Sequence, residues 1–270
     1  MSYKTILVHL GGEATFESVL MPALDLAQRF EAHLIGLSVT PPFVFQPSVV
    51  PRTAALLGDE HRKAFVAEAA RLKPRFEAAA REAGVHAEWI DEDAGLRPVW
   101  KSVVSYGRAV DLIVAAAPKG EGTEEIVLRS GRPVLFVPEG PPRSVGRWIT
   151  VAWNGRREGT RAAFDALPLL RKAQDVKVVW INPQDDDEME AVPTGDLCTA
   201  LARHGAPVEA VEVRAAEDKF SEALTEYLHR SGSDLLVMGC YGHSRLRVFV
   251  LGGATRRLLA ALPAPVLMSH

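Results

Sequence analysis

Glycines placed beside a predicted helix start are the most chemically specific feature of this sequence. The segment Gly239-Cys-Tyr-Gly242 is followed by nine residues and then by Gly252-Gly253-Ala254-Thr255. Glycine adopts positive φ at little steric cost and lets the backbone approach a ligand closely. The N–H groups of Gly253, Ala254 and Thr255 should point outward from a helix N-terminus, where the helix dipole favours phosphate. Thr255 adds a hydroxyl, for phosphate or for capping the helix. This pattern predicts a phosphate-binding loop.

The same glycines also have a purely structural interpretation, as a tight turn and a close contact between helix and strand. Four glycines directly after a strand, with a helix after the last two, favour the ligand. Two common phosphate motifs are excluded, because the chain has no G-x-x-x-x-G-K-[ST] and no G-x-G-x-x-G after either opening strand.

Other chemically capable residues form weaker patterns. The acidic run at 185–188 lacks the glycine and spaced ligands of a calcium loop. The eight histidines show no zinc spacing. Several side chains have both a ligand-binding and a structural interpretation: Trp153 and Trp180 as purine stackers or core, Arg245 and Arg247 as phosphate contacts or solvent-exposed charges, Cys240 as an activated thiol or a turn filler, and His9 as a pocket residue or a polar strand end.

No catalytic set is recognisable. The chain has no G-x-S-x-G elbow and no histidine tied in sequence to a candidate serine. Fast phosphoryl transfer needs a positioned metal and a charge clamp, and neither is evident. Binding with slow or absent hydrolysis therefore fits better than an enzyme.

Short β-branched runs alternate with longer segments of helical periodicity, which is typical of a parallel α/β sheet. The predicted strands are 5–10, 34–39, 86–90, 112–116, 133–137, 148–153, 176–181, 208–213, 235–238 and 266–268. The predicted helices are 17–30, 60–83, 98–107, 159–171, 195–204, 219–230 and 255–262. Residues 138–146 form a linker by composition, which predicts domains at 1–140 and 147–270.

The two halves repeat one another. Ile6-Leu-Val matches Ile149-Thr-Val at an offset of 143 residues, and Asp111-Leu-Ile-Val matches Asp234-Leu-Leu-Val at 123. Arg132-Pro-Val-Leu matches Ala264-Pro-Val-Leu at 132. The first half therefore has 20 extra residues before Asp111 and has lost nine between Asp111 and Pro133. That deletion falls in the loop where a site is expected.

Composition limits the function classes. The formal net charge is −3 in 270 residues, which argues against coating nucleic acid or an anionic membrane. Two cysteines exclude a disulfide scaffold and a four-cysteine zinc site. The short apolar run at the start is unlike a signal peptide, and no stretch is long enough to span a bilayer. We expect a soluble, cytoplasmic protein.

The G-x-x-G, nine residues, G pattern with a nearby Thr is similar to the nucleotide loop of the universal stress protein family. Ile149-Thr-Val-Ala-Trp-Asn-Gly resembles the first strand of that family, Asp234-Leu-Leu-Val-Met-Gly its fourth, and Pro263-Ala-Pro-Val-Leu-Met its last. The resemblance covers the chain as a tandem pair, strongly in the second half and weakly in the first.

The resemblance implies two tandem Rossmann-like or flavodoxin-like α/β domains, each with a five-stranded parallel sheet flanked by helices. It also implies an adenine nucleotide (ATP, ADP or AMP) between the first, second and fourth strands of the second half. The residues that it assigns to this site are Ala152, Trp153, Asn154, Ile181, Met238, Gly239, Gly242, Gly252, Gly253, Ala254 and Thr255.

Two departures from the family pattern stand in the second half. Asn154 replaces a common Asp, which leaves magnesium dependence open. Gly253 stands where the family has Ser or Thr, so a side-chain hydroxyl that contributes to phosphate binding is missing at this position. In the first half, Ala116 and Lys119 replace the first two loop glycines, which predicts that this half does not hold ATP. Its loop at 118–123 is interpreted as a flexible surface loop rather than an anion site.

The leading function is therefore an adenine-nucleotide-binding, stress-response regulatory protein with an unknown protein partner. A protein-interaction module without nucleotide and a weak ATP hydrolase are the alternatives. Single-domain members of the family dimerise through their last strands, so the two last strands here should pair antiparallel within the chain. A homodimer of whole chains rests on the family alone.

Overall fold

A computed structural model of the chain describes residues 2–44, 51–117, 122–140, 145–181, 192–216, 219–240 and 264–270. The chain forms two compact units. The smaller unit comprises residues 3–116 and 122–130, and the larger one comprises mainly residues 131–270.

The smaller unit is a parallel sheet with helices between its strands. Its described strands are in the order β3-β2-β1-β4. The elements in chain order are β1 (Thr5–His9), α1 (Glu13–Phe30), β2 (His33–Thr40), α2 (Pro51–Glu82), β3 (Ala87–Asp93), α3 (Val99–Gly107), β4 (Leu112–Ala116) and α4 (Thr123–Ser130).

The larger unit has strands in the order β5-β10-β9-β6-β7-β8. All neighbours in this sheet are parallel except β5 and β10. The elements are β5 (Val134–Val137), β6 (Trp148–Trp153), α5 (Arg157–Asp165), α6 (Leu167–Leu170), β7 (Asp175–Ile181), α7 (Thr194–Arg203), β8 (Val208–Val213), α8 (Phe220–Ser231), β9 (Leu235–Gly239) and β10 (Val266–Ser269).

Inner strands are apolar along their whole length because helices cover both faces of a parallel sheet. Strand β1 buries Ile6, Leu7 and Val8 completely, and β9 buries Leu235, Leu236 and Val237 in the same way. The predicted helix-flanked, parallel α/β fold is confirmed.

Two aspartates show that the sequence repeat is a structural repeat. The Asp111 carboxylate accepts hydrogen bonds from the backbone N–H groups of Lys4 and Thr5, at 2.7 and 3.0 Å. The Asp234 carboxylate accepts them from Gly146, Arg147 and Trp148 at 2.9–3.1 Å. In each half the carboxylate before the fourth strand therefore holds the beginning of the first strand.

The last strands of the two halves pair as expected. β5 and β10 are antiparallel, with Leu135 opposite Leu267 and Phe136 opposite Val266. Because these side chains are at most 2% exposed, each strand covers an apolar edge that the other would otherwise leave open.

Four helices differ from the sequence-based prediction, and the first of them, α1, begins at Glu13, four residues before its predicted start. Helix α2 begins at Pro51, nine residues before the predicted start, and its 32 residues compare with 10 in α7, which accounts for the extra length of the first half. Helix α4 was missed because its eight residues are too few to show periodicity. The predicted helix 159–171 is divided at Ala166, since Pro168 lacks the N–H that would continue the ladder. The predicted helix 255–262 lies outside the described residues.

Candidate functional site

The register of the larger sheet brings three strand ends together. Ala152 near the end of β6 lies opposite Met238 of β9, and Trp153 lies opposite Trp180 of β7, one residue before Ile181. The chain proceeds from β6 to β7 on one side, whereas β9 lies on the other side of β6. This is the topological switch point of an open α/β sheet, where ligands bind at the carboxyl ends of the strands.

Six of the predicted site residues lie at this switch point, namely Ala152, Trp153, Asn154, Ile181, Met238 and Gly239. The other five, Gly242, Gly252, Gly253, Ala254 and Thr255, lie outside the described residues, as do Arg245, Arg247 and the acidic run at 185–188.

Strand alternation divides the described site residues between two faces. Ala152 and Met238 are in register and share one face, and Ile181 lies two residues after Val179, which is also in register with Ala152. Trp153 is on the opposite face, where its ring contacts the N-terminal turn of α5. The structure therefore groups Ala152, Ile181 and Met238 and separates them from the Trp153 side chain.

Gly239 is glycine for a packing reason that the sequence did not separate from ligand binding. A Cβ at this position would lie 2.4 Å from the carbonyl carbon of Glu158 and 2.6 Å from the amide nitrogen of Gly159. Only glycine allows the first turn of α5 to rest directly on the end of β9. The structural interpretation of the glycine pattern therefore holds at this one position.

Both tryptophans at the strand ends are buried. Trp153 is 4% exposed, and its Nε1 donates a hydrogen bond to the Val192 carbonyl at 3.0 Å. Trp180 is 6% exposed. Burial gives both indoles a structural role in the core, and the hydrogen bond adds to it for Trp153. Only the backbone of Trp153 is then available to a ligand.

Asn154 and Arg156 shape the turn between β6 and α5. The side-chain oxygen of Asn154 accepts a hydrogen bond from the Arg156 N–H at 3.2 Å, so the amide organises the start of the helix. The Nε atom of Arg156 is buried and has no hydrogen-bond partner within the described parts of the chain. A cation with an unused donor beside a helix N-terminus suits an anionic ligand. Sequence analysis missed Arg156, although its charge directly after Asn154-Gly155 was a visible signal.

Cys240 and His270 form a hydrogen-bonded junction at the exit of β9. The Cys240 N–H donates to the Ser269 carbonyl at 3.0 Å, and Nδ1 of His270 contacts the Cys240 carbonyl at 3.0 Å. Burial raises the pKa of the Cys240 thiol, so the hypothesis of an activated thiol is wrong and the residue fills the turn. Sequence analysis did not assign a role to His270.

The equivalent strand end in the smaller unit is occupied by the protein itself. The Glu68 carboxylate of α2 accepts a hydrogen bond from the Glu13 N–H at 2.8 Å, at the first turn of α1. His9 ends β1, and its Nε2 is buried without a hydrogen-bond partner among the described residues. Burial lowers the pKa of His9 to about 4, so the imidazole is neutral at pH 7.

Two classes of feature are not found in the described ranges. They contain no group of three or more His, Cys, Asp or Glu side chains that could hold a metal ion. In the same ranges, no helix is long and apolar enough to cross a membrane.

Comparison with known proteins finds a family match in the second half of the chain. The sequence profile of the Universal stress protein family matches residues 147–270. A universal stress protein of Synechocystis sp. is 39% identical over 90 residues, which are 33% of this chain and 30% of that protein. The chain thus matches less than a third of the length of this relative.

Solved structures extend the likeness to the whole fold. The crystal structure of a universal stress protein from Archaeoglobus fulgidus covers 98% of this chain and 95% of its own, with a TM-score of 0.70 and 15% identity. Another universal stress protein from that organism, in complex with dAMP, covers 51% of this chain and 99% of its own. Its TM-score is 0.37 and its sequence identity is 17%.

Proposed function

The chain belongs to the universal stress protein family through residues 147–270, and from this we propose that it is an adenine-nucleotide-binding regulatory protein of the stress response. The proposed ligand is ATP or ADP, held at the carboxyl ends of β6, β7 and β9. Its occupancy changes the surface at residues 239–255, which a protein partner recognises. We propose a cytoplasmic location, in keeping with two unpaired cysteines.

The observation that carries this proposal is the switch point in the larger sheet. The end of β9 lies beside the end of β6, where an open α/β sheet binds its ligands, and the glycine-rich segment follows β9 in the sequence. The half-buried Ala152 lies on the apolar face where adenine would pack, and Ile181 and Met238 are buried beneath that face. The guanidinium of Arg156, with its unused Nε donor, is a cation in the turn after β6.

Several finer assignments belong to the proposal and come from the family resemblance. The ribose and phosphates are assigned to the backbone of Met238, Gly239 and Gly242. The phosphates are also assigned to residues 252–255, which would cover them. Trp153 contributes backbone atoms only, since its indole is buried. Asn154 carries no charge, so we propose that binding does not require magnesium.

The proposal predicts one nucleotide per chain, in the second half. Mass spectrometry of small molecules released from the purified, denatured protein should identify an adenine nucleotide near one equivalent. Calorimetric titration of the emptied protein with ATP should then give a single site. Two equivalent sites would show that the first half has kept its pocket.

A substitution in the glycine-rich loop tests where the nucleotide binds. Gly252→Val places a β-branched side chain where the backbone should approach phosphate, so the affinity for ATP should fall at least ~10-fold. Lys119→Val is the matched change in the loop of the first half and should leave the affinity unchanged. Equal losses in both variants, or none in Gly252→Val, would contradict the assignment.

One observation favours a protein-interaction module without nucleotide. Because Gly239 is required for the packing of α5, a glycine at this position does not by itself indicate a ligand. A protein recovered empty from nucleotide-replete cells, with no ATP binding by calorimetry, would support this second function. Release of phosphate that is abolished by Gly252→Val would instead indicate a hydrolase.

A further inference from the structure

The end of strand β9 is held from three directions, immediately before the glycine-rich segment begins. The Cys240 N–H and its thiol both donate to the Ser269 carbonyl, at 3.0 and 3.5 Å. The first turn of α5 lies against Gly239. On the remaining side, the His270 ring bonds to the Cys240 carbonyl.

The direction of the hydrogen bond between His270 and Cys240 follows from the chemistry of its two atoms. A carbonyl oxygen only accepts hydrogen bonds, so Nδ1 of His270 must carry the proton and donate it over 3.0 Å. The thiol cannot replace this donor, because it already donates to Ser269 and its raised pKa keeps it protonated.

The first half of the chain provides an internal comparison. By the repeat offsets, Ala117 and Val137 correspond to Cys240 and Ser269, and the Ala117 N–H donates to the Val137 carbonyl at 2.7 Å. The backbone bond is thus present in both repeats. Pro138 stands where the second half has His270, and proline has no side-chain donor. The imidazole bond therefore occurs only in the repeat that carries the glycine loop.

We propose that His270 is a positioning residue for the nucleotide site of the second half. Its hydrogen bond fixes the Cys240 peptide plane at the carboxyl end of β9, which is one of the strand ends proposed to hold the nucleotide. A strand end that is already fixed loses less conformational freedom when a ligand binds beside it, which strengthens binding. This inference rests on the proposed function.

Three substitutions of His270 separate its hydrogen bond from its bulk. His270→Ala removes the donor, and His270→Asn returns an N–H close to the position of Nδ1. His270→Gln places its N–H nearer the position of Nε2, which does not face Cys240. Calorimetric titration with ATP should show affinity reduced about 3- to 10-fold in the Ala and Gln variants, the range for one lost hydrogen bond. The Asn variant should be restored to within about 2-fold.

A readout without nucleotide distinguishes this inference from the proposed function. Amide hydrogen exchange of the peptide that covers 236–244 should be faster in His270→Ala and normal in His270→Asn. His229→Ala, an exposed histidine on α8, is the control and should change neither exchange nor affinity.

The outcomes are separable. A wild-type protein that does not bind ATP overturns the proposed function, and with it the role of His270 in that site. Normal binding by the wild type together with unchanged affinity and exchange in His270→Ala overturns the inference alone. Equal losses in the Ala and Asn variants would show that ring packing, rather than the hydrogen bond, is what matters.

Discussion

At the residue scale, the most specific predictions concern Gly239 and His9. Gly239 ends β9, and the backbone of Glu158 and Gly159 fills the space that a side chain would need. Asn154 and Arg156 complete the same turn through a hydrogen bond between them. The strand end is therefore tightly packed on the side of α5, and we propose that adenine packs on the opposite face, beside the half-buried Ala152.

Gly239→Ala should destabilise the protein by on the order of 2 kcal/mol, because the added methyl group meets backbone atoms that cannot rotate away. Urea unfolding measures the loss. Gly195→Ala is the matched control, since a Cβ there meets nothing within 4 Å and the position lies in α7. It should be neutral or stabilising by up to about 1 kcal/mol. Equal stability of the Gly239→Ala variant and the wild type would show that α5 can move aside.

His9 should make stability depend on pH in a defined window. Its pKa is lowered by burial from 6.5 to about 4. Between these values the unfolded chain binds a proton that the folded chain does not, so stability is complete above about pH 6.5 and falls towards pH 4. The loss should be on the order of 2 kcal/mol.

His9→Leu removes the titrating group and should flatten this part of the stability curve, measured by urea unfolding between pH 7.5 and 4.5. A proton NMR titration of the wild type should also find one histidine that remains neutral well below pH 6. Parallel stability curves for the wild type and His9→Leu would contradict the assignment of the window to His9.

At the element scale, the long helix α2 occupies the strand-end side of the first half. Its Glu68 bonds to the Glu13 N–H, and its Arg75 pairs with Glu13 and Glu17 at 2.5 and 2.6 Å. The guanidinium of Arg75 also lies 4.7 Å from the centre of the Phe16 ring. An internal carboxylate thus accepts the hydrogen bond of a backbone N–H group at the start of α1.

Glu68→Ala should lower the free energy of unfolding by on the order of 1 kcal/mol, because it leaves an N–H group at the helix start without its acceptor. Glu68→Gln keeps an acceptor oxygen and should lose less. Glu77→Ala, an exposed carboxylate on the same helix, serves as the control and should be close to neutral. If all three variants lost the same amount, helix propensity rather than capping would explain the effect.

At the scale of the whole molecule, the pairing of β5 with β10 joins the last strands of the two repeats. The isolated second half, residues 147–270, would lack β5 and expose an apolar edge of β10. Exposed apolar edges pair with other chains, so this fragment should self-associate with increasing concentration. Analytical ultracentrifugation measures this, and a monomeric fragment at all concentrations would show that β10 does not need its partner strand.

The sequence by itself determined the alternation of strands and helices, the internal repeat and the family resemblance. Hydrophobic periodicity and motif spacing are local properties, and they are readable wherever an element is long and regular. The eight-residue α4 and the division of the helix at Ala166 lie near the limit of that information.

Tertiary structure alone decided which of two interpretations applies to a given residue. The need for glycine at position 239 is explained by the backbone of Glu158, which is 81 positions away. The Cys240 carbonyl accepts a hydrogen bond from His270, which is 30 positions away. Glu68 meets Glu13 across 55 positions. Such contacts depend on how elements pack, and no local pattern encodes the distance between two atoms on different elements. The sequence could therefore predict a site at the strand ends of the second half, whereas the hydrogen bond from His270 to Cys240, the buried Nε atom of Arg156 and the contact of Glu68 with α1 are visible only in the folded chain.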